Sequence, residues 1–447
     1  MQTALLIVWV VMWAVTCHGQ SSEAQPRRLH LSLKQAVELA LAPAGHARVQ
    51  LAEQLIRQSE SRLAQSRAAL LPIVDASVSE QNLTRNLEAF GIRFELPVAG
   101  FRLPTLAGPF SVFDARATVH QSLFDLSALR RFQAAQRALS SAQAESEHIN
   151  DEIAGATAES YLAALRAKAN LEQAESNVAL AEALLNLAVN QKAAGTGTGI
   201  EVTRAGVQLA NERQRLLVAQ QELRRAYLQL ASLIGVAFDV TLELSDTLDF
   251  APLDSLGAEE AIRLALQTRA DVKAQQWREQ SAQLHYQATR AERFPSVVGF
   301  ADYGSIGLGP NRAIPTRSYG LSVRIPLFDG GRRDARRAES LSLWRQETIK
   351  RDDLRRQIEL EVRVSLDRLQ SAEQQVKVAE QGLVLAENEL AQAQRRYEAG
   401  VTTSLELTDA QTRLVRAKEN RLTAVFNYHL AVLNVARAIG VVRQIIR

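Results

Sequence analysis

A heptad seam runs from Val362 to Tyr397 and constrains this chain more than any other feature. Small apolar residues fall at Val362, Leu366, Leu369, Ala372, Val376, Ala379, Leu383, Ala386, Leu390, Ala393 and Tyr397, in steps of four and three. That spacing keeps one stripe turned toward a neighbouring helix, so it demands a long helix in coiled-coil contact. The seam stops at Ala399-Gly400, where glycine permits the positive φ that ends a helix. A second helical pattern starts near Leu405. The stretch reads as one arm of a helical hairpin, its tip, and the start of the return arm.

The same unit occurs twice. Ala194-Gly195 matches Ala399-Gly400, and Ile234-Gly235-Val236 matches Ile439-Gly440-Val441, both at an offset of 205 residues (399 − 194 and 439 − 234). At that offset Leu171, Ala174, Val178, Ala181, Leu185 and Ala188 fall on Val376, Ala379, Leu383, Ala386, Leu390 and Ala393. Seam and punctuation kept in register mark an internal repeat. It divides the chain into a signal segment at 1–24, a first unit at 25–245 and a second at 246–447.

Each unit opens with a short helix and a longer one, at about 33–69 and 258–292. Pro72 and Pro295 break these helices. Strand-like alternation follows: Phe113, Ala115, Ala117 and Val119 in the first unit, Tyr319, Leu321, Val323 and Ile325 in the second. Strands of about ten residues with one apolar face have the length a tilted strand needs to span a bilayer; an ordinary half-buried soluble sheet gives the same alternation. The strands near 73–83 and 296–306 alternate less cleanly. Stretches 84–109 and 307–317, rich in glycine, proline and polar residues, read as loops. Long helical arms over about 127–192 and 334–397 then run to the tips and return over about 201–233 and 405–438.

Composition excludes several functions. Aromatics make up 5% of the chain and charged residues 23%, and the net charge is only +3. Basic and acidic residues are interspersed, so no nucleic-acid partner is expected. The seven histidines lack metal-ligand spacing, no Ser-His-Asp pattern stands out, and no enzyme activity, metal or cofactor is expected. Residues 4–15 are apolar and too short to cross a bilayer as a helix, which suits an export signal cleaved after Gly19 or Ala24. Lipidation at Cys17, the single cysteine, is the alternative reading.

Two problems force an assembly. Four strands cannot close a barrel, and an open sheet in lipid leaves backbone groups without partners. Arms of this length cannot bury an alanine-rich seam within one chain. Several copies, each lending four strands to one barrel and its helices to one tube, resolve both.

Four stretches carry a resemblance to a known family. They are the openings Ala36-Val37-Glu38-Leu39-Ala40-Leu41 and Ala261-Ile262-Arg263-Leu264-Ala265-Leu266, then Pro326-Leu327-Phe328-Asp329, and Tyr397-Glu398-Ala399-Gly400 followed by Leu405-Glu406-Leu407-Thr408-Asp409-Ala410. Together they resemble the TolC family of outer-membrane efflux proteins over about 31–441. The resemblance implies a mainly α fold with membrane β: a homotrimer whose twelve-stranded barrel, four strands per chain, continues into an α-helical coiled-coil barrel in the periplasm. It also implies a periplasmic adaptor (membrane fusion) protein, an inner-membrane pump or ABC transporter, and outer-membrane lipid as partners. The function implied is a passive exit duct for efflux or type I secretion. A secreted or periplasmic coiled-coil structural protein, or an adaptor without a pore, remains the competing reading.

Glu406 and Asp409 are three apart and share one side of the return helix. By resemblance they face the lumen at its narrow end, where three chains bring six carboxylates that draw cations and repel anions. Spacing alone equally fits a solvated acidic helix start. The resemblance further implies a gating role for Tyr397, with Glu201 as its acidic partner. Thr402 stands where the family often has an arginine. The tips, Gly195, Gly197 and Gly199 in the first unit and Gly400 and Val401 in the second, are the implied adaptor contacts.

Overall fold

The described residues, 28–43, 45–91, 105–252 and 256–445 of a computed structural model, realise the repeated unit element by element. Chain order is β1 (Arg28–Leu31), α1 (Leu33–Leu41), α2 (Ala47–Ala68), β2 (Ile73–Asn86), β3 (Leu106–Phe124), α3 (Leu126–Ala193) and α4 (Gly199–Ile234). The second round is β4 (Thr241–Leu244), α5 (Ala258–Thr268), α6 (Ala270–Ala291), β5 (Ser296–Gly307), β6 (Ala313–Arg324), α7 (Arg332–Glu398) and α8 (Ser404–Ala438), closed by α9 (Val442–Ile445). The expected signal segment and Cys17 lie outside the described residues.

With no proline to interrupt them, α3 and α7 run for 68 and 67 residues, about 100 Å each at 1.5 Å per residue. α3 lies against α4, α7 against α8, and α3 also meets α8, so the two hairpins stand side by side. The seam is the contact: Val362, Ala372, Val376, Ala386, Leu390, Ala393 and Tyr397 are all buried. Its small residues let helix axes approach closely while the polar faces stay wet.

The punctuation repeats in atomic detail. Thr196 N–H donates to Gln191 O, and Val401 N–H to Arg396 O; Gly195 and Gly400 between them take φ of 77° and 69°. The far ends copy this closure, with Val236 N–H on Ala231 O and Val441 N–H on Ala436 O around Gly235 and Gly440. All four are six-to-one closures around a left-handed residue, which only glycine adopts without steric cost. This is why Ala-Gly and Ile-Gly-Val recur at one offset.

The four longer strands form a single antiparallel sheet in the order β2-β3-β5-β6. Register puts Ala76 beside Ala117, Ala117 beside Tyr303, and Ala301 beside Tyr319. That face is mainly apolar in all four strands, with Glu80 and Arg317 as its charged members, and its Val74, Val78, Tyr303, Tyr319, Leu321 and Val323 are exposed. The other face carries Asp75, Ser77, Asp114, Arg116, Thr118, Asp302 and Ser318, and there Arg116 donates to Asp114 (2.8 Å) and Asp302 (3.3 Å). Among the described residues β2 and β6 are the free edges. Part of each expected loop proves to be strand: β2 continues to Asn86, β3 begins at Leu106 and β6 at Ala313. Cross-strand pairing overrides the local glycine and proline signal, and Pro315 is tolerated because β6 is an edge.

Near mid-length the shorter elements surround the hairpins. The parallel pair β1-β4, which periodicity did not foresee, packs with α1 on α3 and on the ends of α4 and α8. At its centre the fully buried Tyr161 hydroxyl bonds Leu31 O (2.9 Å) and Asp246 Oδ2 (2.8 Å), while Leu33 N–H reaches the same carboxylate oxygen at 2.8 Å. One side chain thus ties α3 to both units.

Candidate functional site at the hairpin tips

At each tip the return helix starts with a threonine and a glutamate three residues on. In α4, Glu201 Oε2 accepts from Thr198 N–H at 2.7 Å and Thr198 Oγ1 at 3.1 Å. In α8 the equivalent Glu406 accepts from the Thr402 hydroxyl through Oε2 and from Arg396 Nη1 through Oε1 at 2.7 Å. A carboxylate in the first turn caps orphan amides and complements the helix dipole. Thr402 thus braces Glu406, and the positive charge at this tip comes from Arg396.

Asp409 is one turn further along the exposed side of α8. Its Oδ2 accepts from Arg413 Nη2 at 2.7 Å, and Arg413 Nη1 also donates to Glu389 Oε1 of α7 at 3.0 Å. Both expected acidic residues therefore sit on one side near the tip, but each is paired within its own chain. Among Glu389, Arg396, Glu406, Asp409 and Arg413 the formal charge sums to −1 per chain. The Asp409–Arg413 pair was legible as an i,i+4 spacing. Arg396–Glu406 crosses the tip and becomes visible only once the turn is placed.

Tyr397 ends the seam and is 5% exposed, packed among Leu390, Ala393, Leu407 and Ala410. Burial, and after it the nearby negative charge of Glu201, pushes its phenol above the ordinary range. The direct bond from Tyr397 to Glu201 is not made here. Among the described residues the Tyr397 hydroxyl has no hydrogen-bond partner, and Glu201 Oε2 is engaged by Thr198. Gly195 and Gly400 form the turns, Gly197 and Gly199 lead into α4, and Val401 projects from its tip with 70% exposure. A Cβ at Gly197 would lie 3.1 Å from Gln191 Cβ, so a larger residue would disturb the turn.

Near the start of α3 and α7, the arginines that follow the last strands are mostly engaged with protein groups. Arg131 and Arg336 share Glu292, Arg333 holds Asp329, and the Arg137 guanidinium lies 5.0 Å over the Trp277 ring. No group of three or more metal-ligating side chains occurs among the described residues. Nor, among them, is any helix long and apolar enough to cross a membrane.

The family described as outer membrane efflux protein matches residues 39–236 and 261–441. The pyoverdine export outer membrane protein OpmQ of Pseudomonas aeruginosa is 29% identical over 274 residues, 59% of this chain and 56% of its own length. The alkaline protease secretion protein AprF of the same organism is 23% identical over 321 residues, 70% of this chain and 66% of AprF. This chain thus spans about 56% and 66% of these two relatives. The fold matches that of the outer membrane protein VceC from Vibrio cholerae with a TM-score of 0.77 at 20% identity, over 91% of this chain and 96% of VceC.

Proposed function

Because the chain belongs to the outer membrane efflux protein family, we propose that three copies of it build one continuous duct through the outer membrane and periplasm. Three four-stranded sheets make a twelve-stranded barrel, β6 of one copy pairing with β2 of the next. The hairpins of the same three copies make the tunnel below it, with residues 25–245 and 246–447 as the two repeated units. The observation that carries this reading is the sheet: two free edges, one apolar face, and an opposite face bearing the Arg116–Asp114–Asp302 cluster. Lipid on the first face and water on the second satisfy both, and closure removes the edges. A soluble coiled-coil scaffold would leave Tyr319 and Leu321, 80% and 71% exposed, in water for no gain.

The duct is passive. The tips are its periplasmic gate, with Glu406 and Asp409 lining the narrow end, Tyr397 and Glu201 as the gating pair between the hairpins, and Thr402 standing there without the charge of an arginine latch. Gly195, Gly197, Gly199, Gly400 and Val401 meet a periplasmic adaptor, which joins the duct to an inner-membrane pump or ABC transporter. Outer-membrane lipid surrounds the barrel. Like OpmQ and AprF, the chain would serve export, with the cargo selected by pump and adaptor.

Fractionation of cells followed by native mass measurement in detergent tests the reading. A trimer in the outer-membrane fraction that conducts ions in a planar bilayer is the expected result. A stable, water-soluble monomer would overturn it.

A further inference from the structure

All four long helices meet at one small, partly open cavity of about 20 Å³ near the tips. Two polar ends reach it without partners among the described residues. One is the Tyr397 hydroxyl on α7; the other is Gln411 Nε2 on α8, a side chain only 1% exposed. Glu201 of α4 lines the same cavity, and its capping bonds from Thr198 both use Oε2. A buried donor left unpaired costs about as much as a lost hydrogen bond, so two at one cavity call for an explanation. The space has room for about one water-sized group. At the repeat offset Gln411 corresponds to Gly206 (411 − 205), so the amide has no counterpart in the first unit.

Resting on the gate reading above, we propose that Gln411 is a positioning residue of that gate. Its amide donates to the Tyr397 oxygen and thereby turns the hydroxyl proton toward the second oxygen of Glu201. In the arrangement seen here the three groups surround the cavity without joining. A small shift of the α7–α8 hairpin against α4 closes the chain Gln411 to Tyr397 to Glu201 and ties the two hairpins of one protomer together. Asp409, two residues earlier, lies on the exposed side of α8, whereas Gln411 faces inward. The same helix turn then carries the charge of the constriction and the lock behind it.

The test is single-channel recording of the full-length protein in planar bilayers, comparing wild type with Tyr397→Phe, Gln411→Met and the double variant. Methionine keeps the length and removes the donor. Each single variant is expected to raise the open-to-closed ratio about fivefold per protomer, the ratio one net hydrogen bond carries. The double variant is expected to match the singles, because the two groups form one chain. A double variant near twenty-five-fold (about five times five) would show separate actions and overturn the proposal. Gln411→Met at the wild-type ratio, with Tyr397→Phe raised, would overturn it while leaving the gate reading intact. If Tyr397→Phe is also silent, the gate reading falls and the proposal with it. Thermal unfolding of Gln411→Met at or above wild type separates leak from misfolding, and Gln411→Leu repeats the test with a second apolar side chain.

Discussion

Replacing both Glu406 and Asp409 with alanine is expected to invert the ionic preference of the duct. Had these carboxylates stood alone, removing them would merely abolish cation preference. The structure pairs them with Arg396 at 2.7 Å and Arg413 at 2.7 Å, so the double substitution leaves two arginines opposed only by Glu389. The local sum moves from −1 to +1 per chain, a change of about six charges in a trimer. At about 10 Å from the pore axis each charge acts on a passing ion with roughly 0.4 kcal/mol in water. Salt near 0.1 M reduces this to about 0.15 kcal/mol. Six charges then shift a monovalent ion by about 0.9 kcal/mol, against cations and in favour of anions. The cation-to-anion permeability ratio should fall about twenty-fold. The assay is the reversal potential of single channels in a potassium chloride gradient, which should change sign. Arg396→Ala with Arg413→Ala should move it the opposite way. These side chains are 42–57% exposed, so the pairs contribute about 0–1 kcal/mol each and the fold should survive. A reversal potential unmoved by either pair of substitutions would refute the reasoning.

Three further outcomes follow from the same structure. Tyr161→Phe should lower unfolding stability by about 1–3 kcal/mol in denaturant titration, because it removes bonds to Leu31 O and the Asp246 carboxylate at a fully buried site; no loss would show that Tyr161 serves only as filler. Gly440→Ala should cost more than Gly400→Ala. Both have positive φ, about 1–2 kcal/mol for a residue with a Cβ, but at Gly440 the new Cβ also meets Arg269 Cγ at 2.9 Å, whereas nothing lies within 4 Å at Gly400. Equal losses in thermal unfolding would contradict this. Burial, with the Arg131 charge behind it, lowers the His285 pKa from 6.5. An imidazole held neutral contributes stability that is present above its unfolded pKa and lost as pH falls from about 6.5 through the lower folded value. His285→Asn should flatten that acid-side decline in melting temperature, and an unchanged profile would dismiss the role.

Legibility differed between element types for physical reasons. A heptad seam is local: its period and its glycine stop lie in consecutive residues, so α3, α7 and the two tips could be placed within a residue or two. Duplication doubled that signal. Strand limits depend on the partner strand, so β2 and β6 extended beyond the turn-like sequence at Thr84 and Ala313, and the short β1-β4 pair brings together segments more than two hundred residues apart. At the tips, spacing put Glu406 and Asp409 on one side of the return helix, and the family resemblance, not the spacing, singled them out together with Tyr397.

Their electrostatic state was a tertiary matter. Arg396 reaches Glu406 only because the chain reverses at Gly400, and Gln411 matters only because α8 turns it into a cavity shared with three other helices. The order of helices and strands, their repeat and the amphipathic faces were written in the sequence, because each depends on the period of a few neighbouring residues. Which charges cancel, which polar ends stay unpaired and which edges remain open were decided by the tertiary structure, because each is a distance between residues the chain order keeps apart.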